Sequence, residues 1–559
     1  MKKITIIISA ICILILNNLQ AQTIIHVATT GSDTTGKGTE SKPYRTLQKA
    51  ENKVSAGDTV YVHKGTYRNS DFNDGDIWEG ENLLQITANG TAEKNITFKP
   101  FTGDEVILEF DGTYGIIISN STYINVEGFI LNGIAENITK TEAESAWGLY
   151  KDSDGVIHDL AKELNIEITD PNIAGTKITK TATPGIKKPS YYNGRGIVAN
   201  KSYHINILNN EVKNVPSSAI RCQQSDNTTI ANNIVYNNTY WTTLGVGAIT
   251  VAEATPQAGN TSNAVKIILS NNYVHHNENR LVSWNPTKTF VNIVIDEGTG
   301  LFLTRNRDTY SNGAILIANN ISTFNGASGI VSHFTNNVII EHNTIYKNGT
   351  TNESPAGGIG INNTDNVTII NNISYAEPDH WAIGVLSNPN TNLTISNNLV
   401  YNEDGSENID RNLATGWIEK NPLFEDSENG GFLLKETSPA INNGTTNATQ
   451  TTDYFGNLRD STPDIGAIEF GSVLGIKDEP TLRAIQMYPN PTKSFIYFNF
   501  ESQNIKKGTL EIFDLKGSLI YKAKIQNKVL KVNLSNKKGL YIAKINTRKA
   551  VFYQKIIKE

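Results

Sequence analysis

A pair of asparagines set between short runs of β-branched residues returns again and again along this chain. It stands in Ile205-Asn206-Ile207-Leu208-Asn209-Asn210 and in Thr229-Ile230-Ala231-Asn232-Asn233. It recurs in the segments ending at Asn272, Asn320, Asn372 and Asn398, and His342-Asn343 is a variant. A second motif, Gly or Ala followed by Ile or Leu, any residue and an apolar one, starts at Gly196, Ala219, Ala248, Gly300, Gly329, Gly358 and Ala382, at spacings of 23, 29, 52, 29, 29 and 24. A period of this size is the signature of a solenoid. One such coil holds three short strands and three turns. Stacked coils pair each strand with its equivalent above and below, and stacked Asn side chains bond along the axis. A leucine-rich repeat demands Leu at fixed offsets, and a propeller demands longer antiparallel repeats. The expected fold is therefore all-β: a right-handed parallel β-helix followed by a small C-terminal β-sandwich-like domain. The long interval between Ala248 and Gly300 fits two coils, with Arg280-Leu281-Val282 as the middle one.

Composition bounds the compartment. Lys2 and Lys3 precede a mostly apolar run, Ile4 to Leu16, which reads as a signal peptide over residues 1–21. No later run is long enough for a membrane span. Only Cys222 follows that segment, so no intramolecular disulfide is expected, and an apolar alternation around it marks it as core. Residues 487–559 carry 15 Lys plus Arg against 4 Asp plus Glu, a net of +11, which leaves −17 for the rest of a chain whose total is −6. The tail lysines are interspersed with strand residues, as on a solvated β-domain, so nucleic acid is not expected. The acidic body repels a polyanion, so an anionic ligand needs a local basic pocket or a bound cation.

Ile25-His26-Val27-Ala28, Gly31-Ser32-Asp33, Lys42-Pro43-Tyr44-Arg45-Thr46-Leu47, Ala56-Gly57-Asp58-Thr59-Val60 and Lys64-Gly65-Thr66-Tyr67 together resemble the opening of secreted pectate-lyase-like β-helix proteins. Asn421-Pro422-Leu423-Phe424, Ser438-Pro439-Ala440-Ile441 and Asp464-Ile465-Gly466-Ala467-Ile468-Glu469 resemble their close. This sets the β-helix at residues 22–472, with a short helix over 46–54 capping its open end. The repeat is interrupted over residues 137–194, an insertion of the size that forms functional loops, with helix-like spacing over 141–164. After a linker at 473–486, Met487-Tyr488-Pro489-Asn490-Pro491-Thr492 and the strands after it resemble the type A sorting domain of the type IX secretion system. That resemblance implies the type IX machinery as a partner and a secreted or cell-surface location for a protein read as a monomer.

Alternation along the Gly/Ala-Ile strands points Ile220 and Cys222, Ile249 and Val251, and Leu301 and Leu303 inward. Arg221, Gln223, Thr250, Phe302, Thr304 and His333 then point outward on one sheet, with Glu253 and Arg305 just beyond. The resemblance to pectate-lyase-like proteins implies β-elimination on uronic-acid poly- or oligosaccharides. That chemistry needs a neutraliser for the uronate carboxylate, a base for the C5 proton and an acid for the leaving oxygen. Arg221 is the expected neutraliser, His333 the base and Tyr240 the acid. Trp241, Gln223, Arg305 and Glu253 are expected at the substrate, with Asp296 and Glu297 as oxygen ligands for Ca²⁺. Three other readings stay open: a dehydratase removing water from a terminal uronate, a glycoside hydrolase using paired carboxylates, and a non-catalytic glycan-binding surface β-helix.

Overall fold

The computed structural model describes residues 23–167, 187–284, 295, 297–351, 357–387, 390–405, 409, 413–471, 486–488, 492, 494–500, 507–514, 519–534, 538–547 and 551–558. The expected signal segment and nearly all of the linker lie outside them. The chain divides into two units, one of residues 1–451 with 460–470 and one of residues 452–459 with 471–559.

The first unit is the parallel β-helix. Each coil runs through a first, a second and a third sheet in turn. The first sheet has twelve strands, from Ile24–Val27 to Ala414–Thr415. The second has eleven, from Gly65–Arg68 to Ile418–Glu419. The third has nine, from Leu84–Ile86 to Ile383–Ser387. Strands stack in parallel, so one inward column of the third sheet reads Ile197, Ile220, Ile249, Leu301, Ile330, Ile359, Ile383. All seven are buried. Each contributes roughly 1.5–3 kcal/mol by leaving water. Cys222 belongs to this core, and burial pushes its thiol up to about 12.

The Asn-Asn motif is the two-residue turn between first and second sheets. Its first residue takes the left-handed conformation at Asn209, Asn232, Asn271, Asn319, His342, Asn371 and Asn397. Asparagine tolerates that region better than other residues with a side chain. The second residue points inward. Asn210, Asn233, Asn272, Asn320, Asn343 and Asn372 each donate a side-chain amide to the side-chain carbonyl of the next member, ending at Asn398, at 2.9–3.1 Å. From Asn233 to Asn398 each member also accepts the backbone N–H of the preceding one, as Asn272 does from Asn233 at 3.0 Å. Replacing Asn272 by alanine removes the acceptor of the buried Asn233 N–H on one side of the gap and the donor to Asn320 Oδ1 and Ile230 O on the other. A destabilisation on the order of 3 kcal/mol or more is expected. A thermal transition unchanged from wild type in calorimetry contradicts this reading of the ladder.

Two expectations are corrected. Strand Ile249–Ala252 pairs directly with Leu301–Thr304, so no middle coil exists around Arg280-Leu281-Val282. The 52-residue interval arises because one coil carries two excursions. The helix-like segment 141–164 is two short helices, Lys140–Ser145 and Leu160–Glu163, flanking a hairpin of Leu149–Lys151 and Ile157–Asp159. The cap helix is Leu47–Glu51, with Thr46 as its N-cap. Gln48 and Glu51 hydrogen-bond the free edge of the third sheet, Gln48 accepting from Gln85 N at 2.8 Å and Glu51 from Thr87 N at 2.8 Å.

Four long connections leave the solenoid at one corner, between second and third sheets. Their described parts are 69–83, 133–167 with 187–194, 237–248, and 276–284 with 297–300. Together they build a wall beside the amino-terminal part of the third sheet. The wall has its own apolar cluster around Trp147, Tyr150, Tyr240, Trp241, Leu281 and Trp284.

In the second unit, a three-stranded antiparallel sheet (Gln486–Tyr488, Phe495–Asn499, Val529–Asn533) and a four-stranded one (Leu519–Ile525, Gly508–Asp514, Gly539–Thr547, Val551–Lys558) share one core, which includes Ile496, Phe498, Leu510 and Ile545. No helix among the described residues is long and apolar enough to cross a membrane.

Candidate functional site

A cleft of about 1770 Å³ lies on the outer face of the third sheet, against the wall. Its floor includes Gln85, Val198, Asn200, Arg221 and Gln223. Its rim brings in Tyr67, Trp78, Tyr114, Lys188, Arg195, Leu244 and Arg305. Among the described residues, Arg45, Arg68, Lys187, Lys188, Arg195, Arg221 and Arg305 line it against Glu79 and Glu81. The cleft is thus locally positive on a body that is acidic overall.

Arg195, Arg221 and Arg305 form its cationic centre. Arg195 stands beside Tyr114 on the neighbouring coil, and its Nη1 donates to the Tyr114 hydroxyl at 3.4 Å. Arg195 Nε is buried and has no partner among the described residues. Arg221 Nε donates to Gln223 Oε1 at 2.9 Å. Burial, then the like charges of Arg195 and Arg305, pull the Arg221 guanidinium down to about 9. Gln223 and Arg305 both reach Glu253, donating to its two carboxylate oxygens at 2.7 and 2.9 Å. Gln224, Glu253 and Arg305 occupy the left-handed turn position after their strands, with φ between 49° and 55°. Long side chains at such a position cost about 1 kcal/mol or more, and here they are tied to one another. Glu253 neutralises Arg305. The Arg221 head group is anchored by the neutral Gln223.

Arg221, Gln223 and Arg305 therefore converge as expected, while Glu253 sits behind them as a holder of side chains. Other expectations are corrected. Trp241 is buried at 4% exposure, and its indole N–H donates to Ala135 O at 2.8 Å. Tyr240 is likewise buried, its ring covered by the Arg280 guanidinium 3.5 Å from the centroid. Both are packing groups of the wall, with no ring face turned to the cleft lining. His333 does lie outward on the third sheet, its Nδ1 3.0 Å from Thr304 Oγ1. Register places it three rungs from Arg221, through Thr250, Phe302 and Val331. At about 4.8 Å per rung that is about 14 Å along the axis. A base on the same uronate as Arg221 must be within hydrogen-bond reach of its C5 proton, so this pair does not serve one sugar. Burial, then Arg305, lowers the His333 imidazole below its ordinary value.

Glu297 accepts from Thr299 Oγ1 at 3.0 Å, and Asp296 lies outside the described residues. Among the described residues no group of three or more His, Cys, Asp or Glu side chains is placed to hold a metal ion.

The residues missed from sequence are Tyr114, Arg195, Trp78 and Lys188. Arg195 precedes the Gly196 motif by one position, outside the repeat from which outward positions were counted. Tyr114 lies in a coil whose motif is masked by Gly115-Ile116-Ile117-Ile118, where three isoleucines in a row hide the alternation. Lys188 donates to Thr243 Oγ1, lies 3.6 Å from the Trp284 ring centroid, and is held well below its ordinary value by burial.

Residues 25–154 match the Pel9A-like, right handed beta helix region, and residues 486–559 match the secretion system C-terminal sorting domain. The chain is accordingly exported through type IX secretion, to the cell surface or the medium. Among curated proteins, the uncharacterized protein YwoF of Bacillus subtilis (strain 168) is 26% identical over 167 residues, 28% of this chain and 29% of that protein. The chain thus aligns with less than a third of that relative's length. Among solved structures, pectate lyase Pel9A is similar at a TM-score of 0.45 and 14% identity, over 80% of this chain and 97% of that one. A rhamnogalacturonan lyase is similar at 0.36 and 14%, over 81% and 96%. The A-module of a mannuronan C-5 epimerase from Azotobacter vinelandii is similar at 0.32 and 12%, over 68% and 84%.

Proposed function

We propose that this exported chain, which carries a Pel9A-like β-helix region, is a carbohydrate-active lyase whose third-sheet cleft performs β-elimination on a uronic-acid glycan. The observation that carries the reading is the trio Arg195, Arg221 and Arg305, which line one cleft of an otherwise acidic body, where Glu253 pairs with Arg305 and Arg221 is held beside its two like charges. Desolvated guanidiniums that repel one another are costly unless an anion completes them. A planar uronate carboxylate matches the guanidinium fork.

The chemistry follows from that pairing. Arg221 and Arg195 bind the carboxylate and stabilise the negative charge that develops as the C5 proton leaves. The electron pair of the C5–H bond forms the C4–C5 double bond, and the C4–O bond breaks. The C5 proton passes to the Tyr114 oxygen, and the departing oxygen takes a proton from Tyr114 or from water and becomes a new chain end. Tyr114, whose hydroxyl touches Arg195, is the acid–base group beside these two cations.

The test follows ultraviolet absorbance in the band of a conjugated, unsaturated uronate. Purified protein is incubated with pectin, alginate, ulvan and their oligomers, with and without EDTA. A rise that survives EDTA is expected. New reducing ends on a flat trace make the protein a hydrolase, and a rise on oligomers without chain cleavage makes it a dehydratase. Neither signal on any substrate removes the lyase reading.

A further inference from the structure

The cleft has two unlike ends. Toward the carboxy-terminal coils its lining stops at Arg305, while the third sheet runs on through Ile330–His333, Ile359–Asn362 and Ile383–Ser387. Toward the amino terminus it runs into three elements at once. The first is the cap, whose Arg45, Thr46 and Gln48 line it, and whose helix occupies the place of the next rung by bonding the edge strand at Gln85 and Thr87. The second is the end of the first second-sheet strand, at Arg68. The third is the excursion 69–83, which presents Trp78 and Glu81.

That excursion is fastened rather than draped. Asn73 N donates to Asp111 Oδ2 at 2.8 Å, and Glu81 N to Asp71 Oδ2 at 2.7 Å. Gly80 N donates to Ser190 Oγ at 3.1 Å, and Tyr191 N to Ile77 O at 3.2 Å, so it is pinned to the large insertion as well. Glu79 lies 3.7 Å from both Lys151 and Lys187. Lys151 also stands 5.0 Å from the Trp78 ring centroid. A wall held by this many contacts from separate elements does not swing aside to let a polymer through.

From this geometry we infer that the cleft is a one-ended trough that takes an anionic glycan by its chain terminus, with the terminal sugar lodged between Arg45, Trp78 and Glu81. The inference rests on the uronate reading above. It assigns to the 69–83 excursion the choice between a chain end and a chain interior. Trp78 supplies an apolar ring for a sugar face, and Glu81 accepts hydroxyl hydrogens that an interior sugar lacks.

The test needs binding alone. The full-length protein is titrated calorimetrically with one polyuronate, intact and after fragmentation to graded lengths, at equal mass of sugar. Chain length is verified after each titration. Binding sites per gram are expected to rise by the same factor as the number of chain ends, at constant affinity per end. Sites per gram that do not change with fragmentation overturn the one-ended trough and leave the uronate reading standing. No heat of binding with any uronate sample at any length overturns both.

Discussion

Replacing Arg221 by methionine is expected to lower kcat/KM on the active uronate substrate by about a thousandfold, with the thermal transition unchanged or raised. The two effects share one cause. Arg221 is desolvated and stands near Arg195 and Arg305, so its charge is unfavourable in the folded protein until an anion arrives. Methionine keeps the stem and removes the repulsion, which leaves the carboxylate of a bound uronate without its central partner. The same physics sets a pH dependence. An ordinary arginine stays charged throughout the working range, but this one is lowered to about 9 by burial and its two like neighbours. It is cationic below that value and loses charge as pH rises through it. Affinity for the anionic ligand therefore falls above about pH 9. Because the unfolded chain binds this proton more tightly, the contribution of Arg221 to stability changes in the opposite sense, rising as pH climbs from about 9 toward 12.5. A wild-type affinity that stays flat to pH 10, or an Arg221→Met variant with full activity, contradicts the assignment.

Replacing Tyr114 by phenylalanine removes one oxygen and nearly nothing else. Its ring packs beside the Arg195 side chain, and its hydroxyl accepts from Arg195 Nη1 at 3.4 Å. Loss of a positioned acid–base group costs about 10²–10⁴ in rate. The expected result is a fall in kcat of that size with KM nearly unchanged, because the arginines that hold the carboxylate remain. Stopped-flow absorbance at saturating substrate separates the two constants. A rise in KM at constant kcat places Tyr114 in binding only and returns the proton transfer to another group.

The solenoid was legible in the sequence because its physical demands repeat in every coil. A two-residue turn needs one residue in the left-handed region and one amide aimed inward, and asparagine meets both needs, so Asn-Asn recurs from Asn209-Asn210 to Asn397-Asn398, with His342-Asn343 as the variant. The inward columns are legible for the same reason, as Ile220 and Cys222 attest. The excursions obey no period. Nothing in the composition separates a tryptophan that meets sugar from one that packs, and Trp241 packs because excursions of this length need an apolar core of their own. Arg221, Gln223 and Arg305 could be found because they belong to repeat positions. Tyr114 and Arg195 could not, because they come before the motif on their strands, and their meeting depends on the register of two coils separated by the insertion. His333 illustrates the opposite error, in which a shared face was read as a shared site although three rungs lie between it and Arg221.

The most direct measurement is a crystal structure of the Tyr114→Phe variant soaked with a short oligomer of the substrate uronate. The predicted result is a sugar carboxylate within hydrogen-bond reach of the guanidiniums of Arg221 and Arg195, on the third-sheet face. An oligomer bound on another face, or bound in this cleft with its carboxylates turned away from Arg221, contradicts the proposed site and the elimination chemistry built on it.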